Sequence, residues 1–225
     1  MKLFIDDADI AAIKELVDYY PIDGVTTNPS ILAKAKKDPR KTLTEIREAI
    51  GPERLIFAQA VAADYEGMIK DAHMIMDLLG ENTVVKIPST PVGFKAIAAL
   101  HKEGIRTCGT VVYTPMQAYL AAKAGASYVA PYVNRIDNMG YDGVKVVQEI
   151  QDILDSCGYE CQVLAASFKN SQQVLELAVY GIENATCGAD IIRGFVKNAA
   201  IDGAVDDFIR DFKALTGVTA MTDLD

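Results

Sequence analysis

The sequence predicts an α/β protein folded as a (β/α)8 barrel with an additional C-terminal helix, on the strength of its alternation, its length and its punctuation. Short apolar runs alternate with longer amphipathic stretches along all 225 residues, the pattern of repeated strand–helix units. The runs number eight, in a chain close to the roughly 250 residues usual for this barrel. Gly80, Gly104, Gly125, Gly158 and Gly181 each stand a few residues before an apolar run, where a helix would end. A doubly wound open sheet would carry a glycine-rich phosphate turn after its first strand, and Asp6-Asp7-Ala8-Asp9 stands there instead.

Taken in order, Leu3–Asp6 is the first strand, and Asp9 can cap a helix running to Tyr19. Gly24–Thr27 is the second strand. After it comes a basic cluster, Lys34, Lys36, Lys37, Arg40 and Lys41, which reads as a solvated helix end or a loop around Asp38-Pro39. Leu55–Val61 is the third strand, and a helix over Tyr65–Leu79 joins it to the fourth, Thr83–Ile87. Helices over Val92–Glu103, Pro115–Ala124 and Gly143–Cys157 lead to strands over Thr107–Val112, Ser127–Val133 and Gln162–Ser167. A helix over Ser171–Tyr180, with Ser171 as its N-cap, leads to the eighth strand, Asn184–Cys187. Beyond it Ile201, Val205, Phe208, Phe212 and Leu215 recur at steps of four, three, four and three, an apolar stripe on an acidic helix. Its cover must come either from its own barrel or from a neighbouring subunit. The expectation is one domain over 1–225, with 198–225 forming the extra helix.

Composition narrows the function. Half of the residues are hydrophobic, enough for one large core. A formal charge of −9 argues against a broad phosphate-backbone surface, so no nucleic-acid partner is expected. A small phosphorylated substrate needs only a few local donors and stays open. No apolar run approaches the roughly 20 residues that span a bilayer, so no membrane association is expected. Cys108, Cys157, Cys161 and Cys187 form no CxxC pair, and Met1 leads straight into a strand pattern; a reducing, cytoplasmic setting is expected.

Lys86 is the residue that most needs an explanation, because it lies inside the apolar run Thr83-Val84-Val85-Lys86-Ile87-Pro88. Either it snorkels from a strand end to the rim, or burial disfavours its ammonium and prepares a nucleophilic amine of the kind that forms Schiff bases. In a (β/α)8 barrel the C-terminal strand ends form the active site. There the sequence places Asp6, Thr26 with Asn28, Gln59, Lys86, Thr110, Tyr132 with Arg135, and Ser167. Each alone could be an ordinary solvated strand end. Together, an amine, a carboxylate, a phenol and neutral hydrogen-bonding groups suit carbonyl chemistry through an imine. Arg135 and Ser167 could hold a phosphate, although an ion pair from Arg135 to Asp137 or Asp142 explains the arginine as well. Lys169, the rival amine, lies past a strand end and reads as a rim or phosphate-adjacent residue. The two histidines, His73 and His101, fall in helical segments without HxH or HExxH spacing, so no metal and no cofactor is expected.

Gly24-Val25-Thr26-Thr27-Asn28-Pro29-Ser30, Val84-Val85-Lys86-Ile87-Pro88, Ala130-Pro131-Tyr132-Val133-Asn134-Arg135-Ile136-Asp137 and Ala165-Ala166-Ser167-Phe168-Lys169 give the chain its family likeness. It resembles the small transaldolase family, on that family's fructose-6-phosphate aldolase side, over essentially its whole length. The resemblance implies a metal-free Schiff-base enzyme acting on fructose 6-phosphate, dihydroxyacetone and glyceraldehyde 3-phosphate, with Lys86 as the imine-forming lysine. Asp6 would be the acid/base carboxylate, Thr26 and Asn28 would hold the dihydroxyacetone unit, and Gln59 with Thr110 the catalytic water. Tyr132 would exchange the proton of the C4 hydroxyl, and Arg135 with Ser167 would take the phosphate. Gln59 and Tyr132 are of the aldolase type, where transaldolases of the family carry glutamate and phenylalanine. The alternatives are dihydroxyacetone transfer between sugar phosphates and, more remotely, a sugar-phosphate isomerase or binding barrel. Cys108, where the family usually has a larger aliphatic residue, and Pro91 depart from the pattern and bear on substrate preference. The resemblance also implies a homodecamer whose C-terminal helices cross to neighbouring subunits.

Overall fold

Strands apolar at both parities need cover on both faces, and the structure, a computed structural model describing residues 1–224, supplies it by closing the sheet on itself. Eight parallel strands follow one another in sequence order, β1 (Lys2–Asp6), β2 (Gly24–Thr26), β3 (Leu55–Gln59), β4 (Thr83–Pro88), β5 (Thr107–Val112), β6 (Tyr128–Pro131), β7 (Gln162–Ala165) and β8 (Asn184–Cys187). β8 pairs with β1 and closes the barrel. Outward residues such as Ile5, Val25, Ile56, Val85, Ile87, Val129 and Val163 form the large core with the helices. Inward residues Phe4, Phe57, Val84, Cys108, Tyr128, Ala130 and Leu164 form a second, smaller core that fills the barrel. Phe57 meets Phe4 and Tyr128 edge to face, at centroid distances of 5.3 and 5.2 Å, so aromatic rings plug the barrel interior.

The helices are α1 (Ile10–Tyr19), α2 (Pro29–Lys34), α3 (Pro39–Ile50), α4 (Tyr65–Leu79), α5 (Pro91–Lys102), α6 (Pro115–Lys123), α7 (Val133–Asp137), α8 (Gly143–Cys157), α9 (Ser171–Tyr180), α10 (Ala189–Gly194) and α11 (Ala199–Thr216). Asp9 caps α1 as expected, accepting from Ala11 N at 2.9 Å. Asn170, not Ser171, caps α9, with Gln173 N 3.0 Å from its Oδ1. Proline opens α2, α3, α5 and α6 behind the caps Asn28, Asp38, Thr90 and Thr114, since its missing N–H costs nothing in the first turn. The basic cluster thus spans the end of α2, a short loop and the start of α3. Gly158 and Gly181 close α8 and α9 in the left-handed conformation, at φ 67° and 106°. Four strands stop short of the expected limits, because Thr27, Val61, Val133 and Ser167 lie past the last ladder residues, and Val133 already begins α7.

β5 is irregular. Gly109 pairs with Val129 and Val112 with Pro131, three steps on one strand against two on the other, and Val111 takes φ 60°. That is a β-bulge with a β-branched residue in the left-handed region, a strain of about 1–3 kcal/mol.

The stripe expected near the C-terminus lies on α11, but no residue of that helix is buried. Phe208 is 72% and Leu215 84% exposed, so its own barrel does not provide the cover. Asp225 lies outside the described residues. Among the described residues, no helix is long and apolar enough to cross a membrane.

Gly93 in α5 packs against the end of β4, and a Cβ there would come within 1.9 Å of the Pro88 carbonyl oxygen. Gly93→Ala should lower stability by about 1–3 kcal/mol, read as a lower urea midpoint at unchanged m.

Candidate active site

Lys86 takes an inward position on β4, one alternation above Val84, and is 4% exposed. Its Nζ donates to the Thr27 carbonyl at 2.8 Å. Thr27 follows β2 and is itself pinned, its N and Oγ1 both donating to the Phe57 carbonyl at 2.9 Å. The amine is therefore held by rigid backbone above the aromatic plug. Cys108, its cross-strand partner on β5, is fully buried. Burial pushes that thiol up to about 12 against the opposing pull of Lys86, so it serves as a neutral wall.

Asp6 ends β1 and lies deep in the mouth, ringed by protein while keeping some access to solvent. Thr26 Oγ1 donates to Asp6 Oδ1 at 2.7 Å and lies 2.6 Å from Thr186 Oγ1. Burial raises the Asp6 pKa above the ordinary carboxylate range; Lys86, the Thr26 hydroxyl and Arg135 pull it down, and Asp7 adds to the rise. Thr110 Oγ1 and the Tyr132 hydroxyl lie 3.0 Å apart. The Tyr132 ring has the edge of Tyr113 at 5.6 Å and the Arg135 guanidinium over its face at 4.5 Å. The Tyr113 hydroxyl first, then Tyr132 and Asp6, favour charged Arg135.

Alternation brings Asp6, Thr26, Gln59, Lys86, Thr110 and Tyr132 to one end of the barrel on the inward row. Asn28, Arg135 and Ser167 stand past the strand ends. Asn28 caps α2, accepting from Ile31 N at 3.0 Å, which leaves its amide nitrogen as a donor. Arg135 forms no ion pair with the carboxylates weighed for it: Asp137 accepts from Gly143 N and Gln173 Nε2, and Asp142 caps α8. Ser167 has φ 61°, and its carbonyl accepts from Asn134 N at 2.9 Å. Lys169 is exposed. His73 pairs with Glu103 on the outer surface, and among the described residues no cluster of three His, Cys, Asp or Glu side chains could hold a metal. A cleft of about 850 Å3 opens beside the mouth, between α1, α2, α3 and α10, and shares only Asp6 with the ring.

Thr186 and Tyr113 were not anticipated from the sequence. Thr186 follows the inward alternation of β8 and could have been found by the strand-end rule; Tyr113 lies in a loop, where no periodicity points to it.

A family model described as transaldolase/fructose-6-phosphate aldolase matches residues 3–223. The chain belongs to that family. This transaldolase/fructose-6-phosphate aldolase family member is similar in fold to a solved structure described as native KDPGal, with a TM-score of 0.61 and 16% identity over 84% of each chain. It is also similar to a cube-shaped, highly porous protein cage designed by fusing symmetric oligomeric domains, with a TM-score of 0.62 and 14% identity over 99% of this chain and 88% of the other. At those identities the likeness is one of fold. Family and fold together make the protein an enzyme of the aldolase/transaldolase kind.

The raised Asp6 pKa has a stability consequence for this family member. Between the unfolded carboxylate value, about 3.9, and the raised folded one, the folded state holds more protons, so stability falls as pH rises through that window. Above it the ionised carboxylate is a standing cost. Asp6→Asn should therefore raise Tm at pH 7 to 8, with the gain vanishing below about pH 4; melting curves across that range check it.

Proposed function

We propose that the enzyme is a Schiff-base aldolase that cleaves and forms fructose 6-phosphate from dihydroxyacetone and glyceraldehyde 3-phosphate. The observation that carries this reading is Lys86, a lysine nearly closed off from solvent whose amine is held by a backbone carbonyl inside a ring of acid/base groups. Nζ attacks the C2 ketone, and loss of water leaves an iminium that draws the electron pair of the C3–C4 bond. The Thr27 carbonyl cannot take the lysine proton, whereas Asp6, a carboxylate made more basic by burial, can. Tyr132, hydrogen-bonded to Thr110, accepts the C4 hydroxyl proton as the aldehyde leaves. The enamine is then protonated at C3 and hydrolysed, with Gln59 and Thr110 holding the water. Thr26 and Asn28 hold the dihydroxyacetone hydroxyls. Arg135, free of ion pairing with Asp137 and Asp142, takes the phosphate with Ser167.

Borohydride in the presence of fructose 6-phosphate should leave a reduced adduct on Lys86, located by mass spectrometry. Lys86→Met should abolish that adduct and reduce turnover by more than about 10⁴-fold, the order of loss when a nucleophile is removed; full activity in this variant sinks the imine scheme. Dihydroxyacetone release from fructose 6-phosphate, measured with and without erythrose 4-phosphate, separates aldol cleavage from transfer. Free dihydroxyacetone without the acceptor is expected. Tyr132→Phe should slow cleavage by about 10²–10⁴-fold, as loss of a general acid/base does.

The same reading assigns the bare stripe of α11 to a neighbouring subunit within a homo-oligomer, a decamer by family resemblance. A helix with its apolar residues 44–84% exposed at Ile201, Val205, Phe208, Ile209 and Leu215 supports this. Val205→Arg with Phe208→Arg should lower the particle mass in light scattering.

A further inference from the structure

The hydroxyl pair behind Asp6 has a fixed sense. A threonine hydroxyl has one proton to give. Thr26 gives its proton to Asp6 Oδ1 at 2.7 Å, so the 2.6 Å contact between Thr26 and Thr186 can be a hydrogen bond only if Thr186 is its donor. Both threonines are sealed from water, Thr26 at 0% and Thr186 at 2% exposed, so no solvent molecule competes for either oxygen. The three side chains come from β1, β2 and β8, which adjoin at the closure of the barrel. We propose that Thr186 is a positioning residue for Asp6: through Thr26 it forms a one-way donor chain, Thr186 to Thr26 to Asp6, that orients the carboxylate and strengthens the bond it accepts. This rests on the reading of Asp6 as the acid/base carboxylate of the reaction.

The reason lies in the position of Asp6. It must be ionised to act as a base, yet burial opposes ionisation. The charged groups facing it are Lys86 on β4, Arg135 on α7 and Asp7 just after β1, while the Cys187 thiol on β8 is pushed up to about 12 and stays neutral. Lys86 is tied to Thr27, and Arg135 stands over Tyr132. Thr26 is the direct side-chain donor to the carboxylate, and a donor that is itself hydrogen-bonded is the stronger one. A bond to an ionised acceptor gains most from this, being roughly twice as strong as a neutral one. Thr186 therefore favours the charged carboxylate without touching substrate.

The test compares Thr186→Val and Thr186→Ser with the wild-type enzyme in two measurements: a carboxyl ¹³C titration of Asp6 without substrate, assigned with Asp6→Asn, and the pH profile of kcat/KM for fructose 6-phosphate cleavage. Thr186→Val keeps the shape and loses the donor. It should move the Asp6 midpoint and the acid limb of the profile upward together, by roughly 0.3–0.6 pH unit, and lower kcat more than it changes KM. Thr186→Ser should keep both wild-type values. An Asp6 midpoint that does not rise in folded Thr186→Val overturns the proposal, as does a Thr186→Ser variant that behaves like the valine. Thr186→Ala removes the same donor and serves if the valine variant does not fold. If the Asp6 midpoint rises while the acid limb stays in place, the positioning role of Thr186 stands and the acid/base reading of Asp6 falls; if the wild-type enzyme releases no dihydroxyacetone, the aldolase reading falls and the Asp6 midpoint alone decides the role of Thr186.

Discussion

Closure of the sheet is the constraint on which the rest of the molecule depends. In an open parallel sheet both faces are covered by helices, and a buried lysine would have to lie under one of them. A closed barrel gives alternate residues a separate interior that opens at the strand ends. Here the lower interior is filled by Phe4, Phe57, Tyr128 and their apolar neighbours. Above this plug the inward residues turn polar and line the C-terminal mouth, where Lys86 finds the Thr27 carbonyl and Asp6 finds Thr26.

The arrangement keeps the two charged groups on separate supports. The ammonium rests on a backbone carbonyl that cannot titrate, and the ionised carboxylate accepts from a chain of two hydroxyls. The two are not joined in a direct ion pair. Burial and hydrogen bonding oppose one another at Asp6, leaving a carboxylate that can take up and release a proton during a reaction.

The strands were legible because short apolar runs set between longer amphipathic stretches are strong local signals. Amphipathic pattern and the stops at Gly80 and Gly158 made α4 and α8 readable to the residue, at Tyr65–Leu79 and Gly143–Cys157. Asn28-Pro29 and Asp38-Pro39 were good start signals for α2 and α3, but the dense lysines between them were read only as a helix end or a loop. α7 and α10 are five and six residues long, too short to show a helical period. The strand-end rule found the inward ring and missed Thr186, which belongs to it on β8. Tyr113 comes to Tyr132 through the path of a loop, which side-chain pattern does not encode. The bare face of α11 could be seen in the sequence as a stripe, while its failure to meet the barrel depends on tertiary geometry.

The bulge in β5 concerns access. In a regular strand the inward row would run Cys108, Thr110, Val112, and an isopropyl group would stand above Thr110 in the barrel mouth. The extra residue at Val111 reverses the parity, and Val112 joins the outer core with Val129 and Val133. One strained backbone residue thus acts as a doorstop. It turns an aliphatic side chain away from the entrance and leaves the space beside Thr110 to the Tyr132 hydroxyl, 3.0 Å from Thr110 Oγ1.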